Sequence, residues 1–126
     1  MRFVSGVYGP YSPYRIENGF VFTSGQIGAV KGKTSLDIKD QVEQALHNLK
    51  SVLEEAGTGL EHVVKTTVFL TDMQYYADMN EVYSAVFENV GAAPARSAVA
   101  VRELPRVADH DLLVEIEAVA TLPELV

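Results

Sequence analysis

Apolar residues in this chain fall into two helical stripes and several alternating runs. From Ile38 onward, Val42, Ala45, Leu46, Leu49, Val52, Leu53 and Ala56 recur at steps of three and four, which sets them on one side of a helix. Asp37 or Ser35 can cap its start, and Gly57 stands where a helix ends in the left-handed conformation that glycine takes freely. Gln41, Glu43, Glu54 and Glu55 lie off the stripe, as do His47 and Asn48, and His47 is read as a solvated or rim residue. A second stripe, Tyr75, Met79, Val82, Tyr83, Val86 and Phe87, predicts a helix from Tyr75 to Asn89, with Thr71-Asp72 as its cap and Gly91 just past its end.

The remaining runs read as strands. Asn18-Gly19 is a hairpin signal between Tyr14-Arg15-Ile16 and Phe20-Val21-Phe22-Thr23-Ser24, and the second strand ends at Ser24-Gly25. Val63 to Leu70 is rich in β-branched residues, with Lys65 read as an edge lysine rather than a Schiff-base amine. Pro94 to Val101 forms another strand, opened by Arg96. In Leu113 to Ala120, Val114, Ile116, Ala118 and Ala120 alternate with Glu115 and Glu117, so the two glutamates share a face that the apolar set does not use. The expected order is β-β-β-α-β-α-β-β, with or without a short first strand at Phe3-Val4. Two helices on one face of a mixed sheet make an α+β two-layer domain over residues 1–126. The other face carries Glu115 and Glu117 and has no cover within the chain, which favours oligomerisation.

The connections carry their own signals. Gly9-Pro10-Tyr11-Ser12-Pro13-Tyr14 is an ordered loop in which Tyr11 either caps a core edge or lines a pocket. Val30 to Ser35 is a polar loop whose glycine and lysines fail the spacing of a phosphate-binding loop. Thr121 to Val126 contains Pro123 and should leave the sheet.

Composition narrows the function. A net charge of −7, with ten Lys and Arg residues scattered along the chain, argues against a nucleic-acid partner. No apolar run approaches a membrane span, and Met1 to Gly6 lacks a signal-peptide core, so the expected location is cytoplasmic. Zero cysteines exclude a disulfide framework, a thiolate nucleophile and a cysteine zinc site.

No Ser-His-Asp order, HExxH, CxxC or dinucleotide glycine fingerprint occurs. Asp109-His110-Asp111 makes a poor tetrahedral metal site and reads as a solvated turn. A diffuse set remains: Tyr11, Ser24, Gly25, Arg96 and Glu115. Arginine offers a planar fork for a carboxylate, and a glutamate can hold or deprotonate a water. Spacing alone leaves open a simpler arrangement in which Arg96 pairs with Glu115 or Glu117 across the sheet.

These residues, taken together, resemble the Rid family (RidA/YjgF), also labelled L-PSP endoribonucleases. The resemblance rests on Gly9-Pro10-Tyr11-Ser12, Thr23-Ser24-Gly25-Gln26-Ile27, Val63 to Met73, Asn80-Glu81-Val82-Tyr83, Pro94-Ala95-Arg96-Ser97 and Val114-Glu115-Ile116-Glu117-Ala118, in order and at matching spacing. It implies a chorismate-mutase-like α+β fold and a homotrimer with active sites between subunits. It further implies hydrolysis of enamines and imines, such as 2-aminoacrylate, to 2-keto acids and ammonia, with no metal or organic cofactor. By the motif match, Arg96 would clamp the substrate carboxylate and Glu115 would position or activate water. Tyr11, Ser24 and Gly25 would shape the pocket, and Asn80 would support it. Three departures bear on subgroup and substrate. Ala98 stands where the best-known deaminases carry cysteine, the Arg102 to Leu112 loop is longer than usual, and the Val30 to Ser35 loop is shorter, with Gly28 where proline is common. Two other readings compete: a non-catalytic keto-acid binding or regulatory module, and an endoribonuclease, which the acidic charge disfavours.

Overall fold

The computed structural model describes residues 9–123, so the expected strand at Phe3-Val4 and the last three residues of the tail fall outside it. Asn18 and Gly19 both take positive φ, 50° and 80°, as a tight hairpin turn requires. They join β1 (Tyr14–Glu17) to β2 (Phe20–Thr23). β2 pairs with the end of β8 (Val114–Thr121), with Phe22 opposite Val119, and β3 (Gln26–Ile27) resumes the ladder with Gln26 opposite Ile116. The β2–β3 side uses one residue more than β8 over this stretch, so Ser24-Gly25 forms a bulge. The expected loop from Val30 to Ser35 is instead mostly a small hairpin, β4 (Ala29–Val30) with β5 (Lys33–Thr34), turning at Lys31 and Gly32 with φ 50° and 78°. Two-residue strands are too short to show alternation.

α1 (Ile38–Ala56) follows the expected stripe closely. Asp37 caps it, its Oδ1 accepting from the Lys39 amide at 2.7 Å, while Ser35 Oγ accepts from the Asp37 amide. Gly57, at φ 95°, closes it; its amide and that of Thr58 donate to Glu54 and Leu53. Leu46, Leu49 and Leu53 are fully buried against the sheet and the second helix. Truncating one such leucine to alanine costs about 2–5 kcal/mol.

Gln41 is a correction: it lies off the apolar stripe yet is completely buried. Its Nε2 donates to the carbonyls of Ser35 and Asp111, and its Oε1 accepts from the Leu113 amide at 2.8 Å. It thereby pins the helix to the long 102–112 segment. Asn48, also off the stripe, donates to the carbonyls of Ile27 and Ala29 on either side of Gly28. At Gly28 a Cβ would lie 2.6 Å from the Gln41 Cα, so this position takes glycine because the strand passes against the helix backbone.

Beyond a short 3-10 turn, β6 (Val63–Leu70) runs through the sheet interior and not at its edge. Lys65 reaches from it to donate to Ser97 Oγ at 2.8 Å. Asp72 caps a 3-10 turn, Met73–Tyr75, and α2 spans Tyr76–Phe87, shorter at both ends than its stripe predicts. β7 (Ala95–Ala100) pairs parallel to β6 and forms an edge. The main sheet therefore runs β1-β2-β8-β6-β7, with β3 also on β8, and both helices cover one face. That face receives Val114, Ile116, Ala118 and Ala120 of β8 and Thr66, Val68 and Leu70 of β6. The opposite face is not wholly bare: Ile27, paired with Glu115, packs with Ala29 and Leu112 into a second small cluster under the 102–112 segment. Elsewhere it exposes Phe20, Phe22 and Val99 among the described residues.

Candidate active site

Arg96 stands on β7 opposite Thr66, which is itself opposite Ala118. Partners in register share a sheet face, so Arg96 projects toward the helices. There α2 meets it. Its Nη1 donates to Asn80 Oδ1 at 2.7 Å and its Nη2 donates to the Tyr76 hydroxyl at 2.8 Å. The guanidinium carbon lies 4.7 Å from the Tyr83 ring centre and 5.6 Å from that of Tyr76, both within cation–π range. Tyr83 in turn bonds the buried Thr66 hydroxyl at 2.7 Å and packs on Phe87. Burial pushes its phenol up, against the opposing pull of Thr66 and Arg96, so it remains neutral at pH 7. Two of the five guanidinium N–H groups are engaged this way, and the rest can serve a ligand.

Glu115 stands on the opposite face of the same sheet. On β8 it faces Ile27 on one side and Phe69 on the other, three residues along from the Arg96 row and two strands across. Each displacement is about 10 Å. An in-chain pair between Arg96 and Glu115 or Glu117 is therefore not formed. The Glu115 carboxyl lies over Gly25, where a Cβ would come within 2.6 Å of its Cδ, so the bulge glycine makes its room. It is half-buried and, among the described residues, accepts no hydrogen bond. Burial first, and the neighbouring Glu117 carboxylate second, push it above the usual glutamate range.

A cavity of about 600 Å³ is lined by Glu115, Gly25 and Tyr11 together with Val30, Val52 and Val107. Tyr11 thus lines a pocket, with 45 % of its surface exposed. Ser24 does not line it. Its hydroxyl donates to the Ser12 carbonyl at 2.6 Å and its amide to the Pro13 carbonyl, which holds the Tyr11 loop in place. Ala98 shares the Arg96 face, packs against the main core, and brings only a methyl group there. The sequence-predicted set therefore splits, with Arg96 and Asn80 on one side and Tyr11, Gly25 and Glu115 on the other. Tyr76 and Tyr83, which hold the guanidinium, escaped the sequence reading. Tyr83 belongs to the predicted buried stripe and Tyr76 to no motif, and no spacing marks either as an arginine platform.

A mixed sheet with two helices on one face is also the fold of the E. coli YjgF gene product, whose crystal structure superposes with a TM-score of 0.83 at 38 % identity, covering 91 % of this chain and 90 % of that one. This chain belongs to the Rid or L-PSP family: the family model described as Endoribonuclease L-PSP matches residues 5–122. A RutC family protein of Synechocystis is 46 % identical over 121 residues, covering 91 % of this chain and 88 % of that one. TdcF of Escherichia coli, provisionally named a reactive intermediate deaminase, is 39 % identical over 118 residues, covering 91 % of this chain and 88 % of its own length. The crystal structure of E. coli TdcF with bound serine superposes with a TM-score of 0.85 at 38 % identity, covering 94 % of this chain and 92 % of that one.

Proposed function

We propose that this chain is a hydrolytic deaminase of reactive enamines and imines, 2-aminoacrylate and related 2-imino acids, yielding 2-keto acids and ammonia. It acts as a cytoplasmic homotrimer, each site lying between two subunits. The observation that carries this reading is the split of the site. Arg96 and Glu115 occupy opposite faces of one sheet, too far apart for one small substrate to touch both in a single chain. A neighbouring copy seated against the exposed Glu115 face supplies the missing arginine. The serine held by TdcF supports a ligand with the frame of a 2-amino acid.

In this scheme Arg96 of one subunit pairs with the substrate carboxylate through its remaining N–H donors, steadied by Asn80 and Tyr76. 2-Aminoacrylate first moves a proton to its methylene and becomes 2-iminopropanoate. Water held by Glu115 of the next subunit then adds to the C=N carbon. The carbon–oxygen bond forms, the C=N π pair passes to nitrogen, and nitrogen takes a proton. The hydroxyl proton then passes to nitrogen, the oxygen electron pair forms the C=O bond as the carbon–nitrogen bond breaks, ammonia leaves, and the keto acid remains. Glu115 accepts the proton of water and returns it to nitrogen, a shuttle suited to a carboxyl that burial holds above the ordinary glutamate value. Every step is proton transfer, addition of water or loss of ammonia, so the proposed reaction calls for no metal, organic cofactor or thiol. Orientation and local charge supply the catalysis.

The test generates 2-imino acids with an amino-acid oxidase and lets semicarbazide compete for them. Active protein lowers trapping and speeds keto-acid formation; Arg96→Ala and Glu115→Gln each abolish the effect. Co-refolding the two variants restores roughly a quarter of wild-type activity, the share of sites whose arginine and glutamate both come intact from different chains. Full activity in Arg96→Ala would sink the mechanism, and no recovery on mixing would sink the intersubunit site. Binding of keto acids without turnover of any imine would favour the binding-module reading instead.

A further inference from the structure

The reaction at Glu115 needs little room, yet the cavity beside it holds about 600 Å³. That volume lies well inside the ~300–1,000 Å³ range of pockets that enclose far larger ligands. Beyond Tyr11 and Gly25 an apolar strip lines it, Val30 from β4, Val52 from α1, and Pro105 and Val107 from the long 102–112 segment, interrupted by the polar side chains of Gln26, Asn48 and Ser51. Besides Glu115 itself, its charged lining residues are Lys31 and Glu55, both exposed to solvent. Nothing in 2-aminoacrylate, which carries only a methylene beyond the reacting carbon, would occupy such a space.

The walls are tied together and not left to collapse. Asp109 Oδ1 accepts from the Thr34 amide at 2.9 Å, and the Asp109 amide donates to the Gly32 carbonyl at 2.8 Å, so the long segment is laced to the β4–β5 hairpin. Asn48 fixes the start of that hairpin to α1 through the Ile27 and Ala29 carbonyls. Leu112, Ile27 and Ala29 form the cluster on which Val107 packs. A preformed apolar wall beside the reacting carbon rewards a side chain that fills it.

We infer that the site selects 2-imino acids with a bulky apolar side chain, and that the β4–β5 hairpin and the 102–112 segment form the pocket that does so. This deepens the deaminase reading and rests on it. Val30 and Val107, which both line the pocket, are its specificity-determining residues.

The test compares kcat/KM for imines made from alanine, leucine and phenylalanine. Wild-type protein should favour the leucine or phenylalanine imine over the alanine imine by about 10-fold or more, the range that apolar pockets achieve per added group. Val30→Trp, at a position 47 % exposed where bulk needs no core space, should lower that ratio about 10-fold. Val107→Trp should lower it similarly. General damage to the fold lowers all rates together and leaves the ratio alone, so an unchanged ratio in both variants overturns the pocket assignment. A wild-type preference for the alanine imine overturns it too, while leaving the deaminase reading intact. Hydrolysis of none of the three imines overturns both.

Discussion

The two halves of the site are built on opposite principles. Arg96 is held by its own chain, with two hydrogen bonds, two aromatic faces and a tyrosine anchored through buried Thr66. Glu115 is held by almost nothing polar: a glycine makes room for it, burial raises its pKa, and Glu117 repels it. A rigid clamp needs no help to stay in place, whereas an under-satisfied carboxylate gains from a water or ligand that binds it. The pairing of a finished half with an unfinished one suits a site completed by a neighbour.

The largest way to break this contrast is to remove the clamp. Arg96→Ala should lower kcat/KM about 10³-fold, since it takes away a charge-assisted, pre-oriented contact to the carboxylate. Arg96→Lys should rescue little, because an ammonium cannot reproduce the fork that Asn80 and Tyr76 hold. Steady-state kinetics on the same imine settle both. Next, Glu115→Gln should cut kcat about 10²-fold with KM nearly unchanged, the loss expected when a proton acceptor is removed but the carboxylate clamp remains. A rise in KM without loss of kcat would recast Glu115 as a binding group.

Smaller changes sharpen the unfinished half. Gly25→Ala sets a methyl where a Cβ would lie 2.6 Å from the Glu115 Cδ, so the carboxyl must swing away. A displacement of this size near the chemistry should cost about 10-fold to 10²-fold in kcat, readable beside an unchanged thermal midpoint. The mildest test is pH. Glu115 must be ionised to accept a proton, so kcat/KM should fall as pH drops through a value above that of an ordinary glutamate. Stability runs the other way. A carboxyl raised by the fold favours its protonated form, so its stabilisation is complete below the ordinary value and fades as pH rises through the raised one. Glu117→Gln should move the acid limb of the activity profile downward only part of the way, because burial is the larger cause.

The sequence shows the finished and unfinished halves unequally. The α1 stripe, the Asn18-Gly19 turn and the strand from Val63 to Leu70 were legible because each repeats a period over enough residues or carries a specific turn signal. β3, β4 and β5 were not, since two residues define no period. Gln41 and Asn48 look like solvent-facing helix positions, and only the chain returning past the helix gives their amides partners. The direction of Arg96 was hidden for another reason. Around it Ala95, Ser97, Ala98 and Ala100 are small on both sides, so alternation marks no inner face. Glu115 and Glu117 differ only in what stands beside them, Gly25 in one case and Thr67 in the other. Motif resemblance singled out Glu115 where periodicity could not.

The methyl group of Ala98 carries a consequence for the chemistry this chain can survive. With no cysteine anywhere in its 126 residues, the clamp face offers peroxide no sulfur to convert to sulfenic acid and offers electrophiles no thiolate to alkylate. Met79, the methionine on α2, is fully buried, and Met73 lies outside both halves of the site. At this position the chain has no thiol to lose to oxidation or alkylation, so peroxide treatment should leave the Arg96 face chemically unchanged.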